Sequence, residues 1–481
     1  MADLQIVEKI PLYEQLVNEM ARQIAQGTFR PGERIPSVRR TSQQKNMSIT
    51  TVLQAYQILE DRGVIEARPQ SGYFVRAPQE MGSFPEPECS DPPIDPTHVN
   101  IGELAIRVVR DSANPNMVQF GAAIPDPELL PTRRLNRILA ALARREDIPQ
   151  YLCGVPEGLE ELRIQTAQRM FSAGCMVTPD DLTITSGCVE ALSLSLKAVC
   201  KPGDLVAIES PTYFVILQAL EILGLQALEI PTHHRTGMSL EALRFALDHH
   251  PVRAVLVIPN FHNPLGSLMP VENKRELVEM LAGRHIPLIE DDIYGELYFE
   301  GQRPPAAKSF DKEGLVLYCS SYSKDISPSY RVGWVAAGRY KKQIEQIKMA
   351  TNVGTALLPQ MAIARFIASG GYDHLLRRIR RAYAQKMAQM SAAVLRYFPA
   401  GTRVTNPSGG FVLWVQLPEN VDSLELYSLA LKARINLAPG YIFSSTPRYS
   451  NFIRLNAAYM NEGSEKAILK LGSLVERLAE K

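Results

Sequence analysis

A chain of 481 residues, 46% of them hydrophobic, is longer than one ordinary domain and can bury more than one core. Its formal net charge of +1 excludes a polyelectrolyte that holds nucleic acid by overall charge, while leaving room for a local basic patch. Cys89, Cys153, Cys175, Cys188, Cys200 and Cys319 form no C-x-x-C pair and no metal spacing with the histidines, so reduced thiols and no metal are expected. The N-terminus has no basic-then-apolar leader and no uncharged apolar run approaches a membrane span, which predicts a soluble, cytoplasmic protein.

The chain opens on a helical pattern. Leu12, Leu16, Met20 and Ile24 recur every four residues up to Gly27, a stripe that predicts a core-facing helix. Ser37 reads as the cap of a short helix through about Lys45, Asn46-Met47 as a turn, and Ser48 as the cap of a helix from Ile49 to Asp61 that buries Val52, Ala55, Tyr56 and Leu59. After Gly63, residues 64–68 and 71–75 read as two strands around a Pro-Gln-Ser-Gly turn. Three helices closed by a hairpin make a winged helix-turn-helix, with Ser48, Thr50 and Thr51 at the start of the helix that would meet duplex DNA. From Arg22 to Arg76 there are nine Lys/Arg against four Asp/Glu, the positive field hidden in the whole-chain balance.

The order P-G-x-x-x-P-S-x-R, T-V-x-x-A-Y-x-x-L-E-x-x-G and R-P-x-S-G-Y-F-V over residues 1–76 resembles the DNA-binding domain of GntR-type transcription regulators. Where those regulators commonly carry arginine after the capping serine, Ile49 stands here. Phosphate contacts are therefore expected from Arg34, Ser37, Arg39, Arg40 and Arg68. Residues 77–116, rich in proline and acidic residues, read as a semi-extended tether on the order of 35 Å long as a coil. Within it, 101–110 is expected to dock as a short helix.

The remainder, 117–481, alternates strands near 183, 206, 255, 288 and 315 with helices, which predicts an α/β domain with a mostly parallel sheet and its site at the carboxyl ends of the strands. A long helix over 371–398 is expected to lead into a smaller α+β subdomain. Ser321, Ser323 and Arg331 can surround a phosphate with hydroxyls and a forked cation, and Lys324 among them can form an imine with a carbonyl; pyridoxal 5'-phosphate owns both groups. Gly187 and Cys188, at a strand-to-helix turn, offer free amides to an anion. Asp291 or its neighbour Asp292 can keep a pyridine nitrogen protonated, Asp291 being the preferred choice. His262 reads as a loop histidine.

The run S-x-S-K-x-x-x-P-x-x-R-x-G-W at 321–334 resembles the lysine loop of fold-type I aminotransferases, and further stretches follow in that family's order. The resemblance implies that Lys324 carries the cofactor as a Schiff base. It also implies that Tyr213 lies against the pyridine ring, that Asn263 and Tyr294 contact its phenolic oxygen, and that Tyr151 reaches the phosphate of a partner subunit in a dimer. The stretch Ile453-Arg454-Leu455 and the opening with Gly121 also resemble that family's, which implies that Arg454 and Gly121 take the α-carboxylate of an amino acid. A winged helix-turn-helix, a tether and an aminotransferase-like domain together resemble the MocR subfamily of GntR regulators. That resemblance implies a pyridoxal phosphate-responsive regulator, a head-to-tail homodimer on double-stranded promoter DNA, switched by an amino acid or amine. The competing expectation is an active aminotransferase with an appended DNA-binding domain, since no residue needed for transamination is missing. A third is a DNA-binding scaffold with a cofactor-free domain.

Overall fold

A computed structural model describes residues 11–61, 63–68, 71–76, 84–100, 102–144 and 155–481. The chain divides into two compact units, one formed mainly by the residues up to Gly82 and the other by the rest.

The first unit is a winged helix-turn-helix. Helices α1 (Leu12–Ala25), α2 (Val38–Lys45) and α3 (Ile49–Asp61) precede a hairpin of β1 (Ile65–Arg68) and β2 (Gly72–Val75), paired antiparallel from Ile65↔Val75 to Arg68↔Gly72. The local chemistry explains each boundary. Ser37 accepts the Arg40 amide to start α2, Asn46 ends it in the left-handed conformation, and Ser48 accepts the Thr51 amide at 3.1 Å to start α3. Leu16, Val17, Met20, Ile35, Val52, Ala55, Tyr56, Leu59, Ile65 and Val75 form one core. Leu12, expected to face that core, is 56% exposed and Val17 takes its share, because a four-residue repeat drifts around a helix of 3.6 residues per turn. Inside the core, Tyr56 donates to the Pro36 carbonyl at 2.8 Å and its hydroxyl lies 2.6 Å from that of Thr41, joining α2 to α3.

The second unit is built on a sheet with the order β3-β7-β6-β9-β10-β11-β12-β5. The strands are β3 (Thr97–His98), β5 (Leu182–Thr185), β6 (Leu205–Ser210), β7 (Gln226–His233), β9 (Val252–Val257), β10 (Leu288–Asp291), β11 (Val316–Ser321) and β12 (Gly333–Ala336); β8 (Gly237–Met238) folds back on β7, and β4 (Val118–Gln119) belongs elsewhere. Pairs from β7 through β11 are parallel, whereas β12 runs antiparallel to both β11 and β5. Strands β5, β6, β10, β11 and β12 are buried at every residue, which is why they read as apolar runs without alternation. Helices α4 (Gly102–Asp111), α5 (Thr132–Ala143) and α6 (Glu160–Ser172) come before β5 in the chain. Beyond it, α7 (Cys188–Val199) and α8 (Phe214–Ile222) cover one face of the sheet, and α9 (Leu240–His249) and α10 (Val271–Ala282) the other.

The long helix runs over Gly371–Tyr397 and leads to a four-stranded antiparallel sheet with the order β13 (Arg403–Val404), β14 (Val412–Gln416), β17 (Phe452–Asn456) and β16 (Ala438–Pro439). Strand β4 pairs with β15 (Ile435–Asn436), bringing Gly121 beside this smaller sheet.

The stretch expected as a tether behaves differently over most of its length. Residues 77–83 lie outside the described residues, but from Phe84 on the chain groups with the second unit. Glu88 N donates to Gln416 Oε1, Ser90 Oγ donates to the Ser210 carbonyl, β3 adds to the edge of β7, and α4 forms over Gly102–Asp111. Proline-rich composition removes donors and helix propensity, yet it does not prevent an extended segment from being held by side chains and a sheet edge. Among the described residues no helix is long and apolar enough to cross a membrane.

Candidate functional site

Strand ends converge on one cavity. It is lined by Cys188, Val189, Leu192, Tyr213, Ile258, Asn263, Asp291, Ile293, Tyr294, Ser321, Ser323, Lys324 and Arg331. Lys324 and Ser323 follow β11, Asp291 ends β10, Asn263 follows β9, Tyr213 follows β6, and Cys188 opens α7 just after β5. Each parallel strand aims its carboxyl end the same way, so residues distant in sequence meet there.

Lys324 Nζ donates to the Ala123 carbonyl at 2.6 Å and lies 5.7 Å from the centre of the Tyr294 ring. Burial pushes its ammonium down to about 8, with the Arg454 cation adding to the effect and Asp291 opposing it. Asp291 Oδ1 accepts the Ile293 amide at 3.1 Å and the Cys188 thiol at 3.4 Å, while burial raises its carboxyl to about 6. Burial also raises the phenols of Tyr213, to about 12, and of Tyr294. Tyr213 and Tyr294 are therefore neutral hydroxyls at physiological pH.

Strand alternation turns the two carboxylates opposite ways, and Asp291 is the one that lines the cavity. Asp292 points away from the cavity, where Arg303 reaches it at 2.6 Å, Tyr318 at 2.9 Å and Asn260 at 2.7 Å. Every one of its oxygens is engaged. His262 lies in a loop, as expected, and is fully buried there with Nε2 3.2 Å from Glu209 Oε2, directly before Asn263. Neither Glu209 nor the Ala123 carbonyl carries a motif, so only the fold reveals their part.

Arg454 enters from β17 and is fully buried. Nη1 donates to Asn263 Oδ1 at 3.0 Å and Nη2 donates to the Gly121 carbonyl, so the guanidinium joins the smaller sheet to two loops of the cavity. Nε has no acceptor among the described residues, and burial lowers the guanidinium from its ordinary value.

The residues fit a phosphorylated pyridine aldehyde. Buried hydroxyls of Tyr294 and Ser323 have no hydrogen-bond partner among the described residues, as a site prepared for polar ligand atoms requires. Gly187 has φ +92°, and a Cβ there would fall 2.5 Å from the Arg331 guanidinium, which donates to the Ser186 carbonyl at 3.1 Å. Glycine thus keeps the amides and the arginine side by side. Tyr151 lies outside the described residues.

In the first unit, Arg34, Ser37, Arg39, Arg40, Ser48, Thr50 and Arg68 are exposed and Thr51 is half-buried. Ser48 Oγ lies 2.7 Å from the hydroxyls of both Thr50 and Thr51, so these three already serve the start of α3. Arg34 lies against Gly72 of the wing, and Ser37 caps α2. Arg68 is engaged by Glu66 at 2.7 Å and by the Phe74 ring at 4.3 Å, which leaves it less free than Arg39 or Arg40 to reach a phosphate.

A mostly parallel sheet with a lysine and a carboxylate at its strand ends and a buried arginine reaching them from the smaller sheet, in one chain with a winged helix-turn-helix, defines an aminotransferase scaffold joined to a DNA-binding domain. Family models agree: that of aminotransferase class I and II matches residues 129–470, and that of bacterial regulatory proteins of the gntR family matches 12–75. The chain belongs to the aminotransferase class I and II family and, with its gntR-type N-terminal domain, to the MocR subfamily of GntR-type regulators. It is 40% identical over 465 residues, 96% of this chain and 99% of the other, to Escherichia coli K12 YdcR, described as an uncharacterized HTH-type transcriptional regulator. It is 30% identical over 386 residues, 78% of this chain and 96% of the other, to the 2-aminoadipate transaminase of Thermus thermophilus. The structure resembles that of LysN, an alpha-aminoadipate aminotransferase of Thermus thermophilus complexed with N-(5'-phosphopyridoxyl)-L-leucine. That match has a TM-score of 0.72 and 29% identity, and covers 78% of this chain and 95% of the other. The fold implies pyridoxal phosphate binding, and the gntR-type domain implies DNA binding.

Proposed function

We propose that the protein is a cytoplasmic transcription regulator whose residues 117–481 hold pyridoxal 5'-phosphate and sense an amino acid or amine, and whose residues 1–76 read promoter DNA. The observation that carries this reading is the convergence of Lys324, Asp291 and Arg454 around one cavity, in a chain that also contains a winged helix-turn-helix.

Bound there, pyridoxal phosphate would supply an electrophilic carbon and an electron-withdrawing ring. Lys324 provides the amine, and with its ammonium near 8 about a tenth of it is unprotonated at pH 7. Asp291 would hold a proton at the ring nitrogen of that group. Asn263 and Tyr294 take the phenolic oxygen, Tyr213 the flat face of the ring, and Ser321, Ser323, Arg331 and the amides of Gly187 and Cys188 the phosphate. Tyr151 reaches that phosphate from a second subunit of a head-to-tail dimer. Arg454, with Gly121 beside it, would recognise the carboxylate of an amino acid, and the Lys324 amine would be the group able to accept or return a proton.

Arg454 also ties the smaller sheet to the Asn263 and Gly121 loops. A carboxylate that competes for its N–H groups would loosen or tighten that connection, and a difference in affinity between the two arrangements is what transmits a signal. Arg34, Ser37, Arg39, Arg40, Ser48, Thr50 and Arg68 are the exposed candidates for DNA contact, with Thr51 half-buried beside them.

A second reading, an active aminotransferase, is favoured by the presence of Lys324, Asp291 and Arg454 together. One experiment separates the two. Cofactor-loaded protein and Lys324→Ala are titrated onto the DNA upstream of the protein's own gene, with and without a panel of amino acids and amines, while amino-group transfer to a 2-oxo acid is followed. The regulator reading expects at least a fivefold effector-dependent change in DNA affinity that Lys324→Ala abolishes. No promoter preference, together with turnover on the order of 1–1,000 per second, overturns it in favour of the enzyme.

A further inference from the structure

Outside the cofactor cavity, three soft or borderline ligands meet at the edge of the second unit. Cys89 lies on the segment before β3, His233 ends β7, and His234 stands in the turn between β7 and β8. Their candidate ligand atoms all lie within 4.8 Å of one another, and Cys89 Sγ is 3.9 Å from His234 Nδ1. The two imidazoles stack with centroids 4.4 Å apart and planes inclined by 23°, so neighbouring residues of an extended chain present their rings together rather than on opposite faces.

We propose that Cys89, His233 and His234 form a binding site for a thiophilic divalent transition metal, zinc above all, which fastens the 84–96 segment to the β7–β8 turn. Three features make this more than a chance cluster.

The first is an oriented ligand. His234 Nε2 lies 3.0 Å from Glu86 Oε2, and donating its proton there leaves the Nδ1 lone pair facing the Cys89 sulfur. A carboxylate behind a histidine is the usual outer support of a zinc ligand, and Glu86 is itself held by the Arg235 guanidinium at 2.7 Å. The second is preorganisation. Ser90 Oγ accepts the Thr232 amide at 3.0 Å and donates to the Ser210 carbonyl, while Glu88 bonds Gln416 and Arg403, so ligands from both sides are already held within reach. The third is size. In a tetrahedral site with zinc–sulfur and zinc–nitrogen bonds of about 2.3 and 2.0 Å, sulfur and nitrogen stand roughly 3.5 Å apart, close to the separation already present.

Binding requires two local changes. The Cys89 thiol gives up its proton to solvent as the sulfur–metal bond forms. His233, whose Nδ1 now accepts the Arg235 amide at 3.0 Å, gives up that hydrogen bond by either route, coordinating through Nδ1 or shifting its proton to Nδ1 and coordinating through Nε2. Three protein ligands leave one tetrahedral position for water.

Cobalt(II) is the probe, added to the full chain loaded with pyridoxal phosphate. One equivalent is expected to produce thiolate-to-cobalt charge-transfer absorption and tetrahedral ligand-field bands, both displaced by zinc. Cys89→Ser should lose the charge-transfer band, His234→Ala should weaken binding at least tenfold, and Glu86→Gln, which removes the charge that faces His234 and Arg235, should weaken it roughly tenfold or more. Zinc should also slow proteolysis within 84–96 in the natural chain and not in Cys89→Ser. An unchanged cofactor spectrum in each variant shows that the fold is intact. No one-to-one cobalt complex, or a charge-transfer band that survives in Cys89→Ser, overturns the proposal.

Discussion

Replacing Arg454 by methionine offers the sharpest separation of ligand recognition from stability. The guanidinium is fully buried and bonded only to two neutral acceptors, Asn263 Oδ1 at 3.0 Å and the Gly121 carbonyl, while Nε has none among the described residues. No carboxylate among the described groups raises its proton affinity, and burial lowers it. An incoming α-carboxylate would therefore supply the missing anion. Two charge-assisted hydrogen bonds at about 1.5–3 kcal/mol each give about 3–6 kcal/mol, and the lower bound is appropriate because existing acceptors are exchanged. A loss of about 3 kcal/mol corresponds to roughly 150-fold in affinity. Arg454→Met is thus expected to weaken amino acids at least a hundredfold and the corresponding decarboxylated amines less than threefold. The assay is a titration of cofactor-loaded protein with matched amino acid and amine pairs, followed by visible absorbance. Because a buried cation without a counter-ion contributes little to stability, the melting temperature should stay level or rise. Equal losses for acids and amines, or none for either, would refute the reasoning.

Three further outcomes follow from particular contacts. With the Lys324 ammonium lowered to about 8, the rate of cofactor loading should climb with pH and level off above about 8, since only the free amine reacts; stopped-flow absorbance that still rises steeply near the ordinary lysine value of about 10.4 contradicts this. Gly187→Ala puts a Cβ 2.5 Å from the Arg331 guanidinium and on a backbone at φ +92°, so it should weaken pyridoxal phosphate at least tenfold while leaving unphosphorylated pyridoxal nearly unchanged, as measured by equilibrium dialysis. Tyr56→Phe removes the bonds to Pro36 and Thr41 inside the DNA-binding unit, costing about 1–2 kcal/mol in denaturant unfolding of that unit with the cofactor absorbance unaffected.

Local chemistry alone carried much of the architecture. Caps at Ser37 and Ser48, the hairpin turn after Arg68 and the buried stripe Val52–Ala55–Tyr56–Leu59 act within a few residues, so they were legible in order along the chain. Runs such as Leu205–Ser210 and Val316–Ser321 announced interior parallel strands for the same reason, and the lysine loop with its glycine turn pointed to phosphate and carbonyl chemistry. Strands β7 and β12 did not stand out, because Gln226–His233 mixes polar and apolar residues and Gly333–Ala336 starts on the Gly333-Trp334 pair that closes the lysine-loop motif, with no turn signal to mark it off.

Sequence by itself therefore determined the winged helix, the alternating α/β body and the residue types offered to a cofactor, since these follow from periodicity, capping and short spacing. Tertiary structure alone decided that Asp291 faces the cavity while Asp292 is consumed by Arg303, Tyr318 and Asn260, and that His262 is buried against Glu209. It also laid the proline-rich segment along the second unit and brought Cys89 to His233 and to His234, the latter 145 residues further along, a grouping that no spacing pattern could contain. The physical reason is common to all of these: which partner neutralises a buried charge, or which lone pairs share a point in space, depends on contacts that loop closure creates only after the sheet has formed.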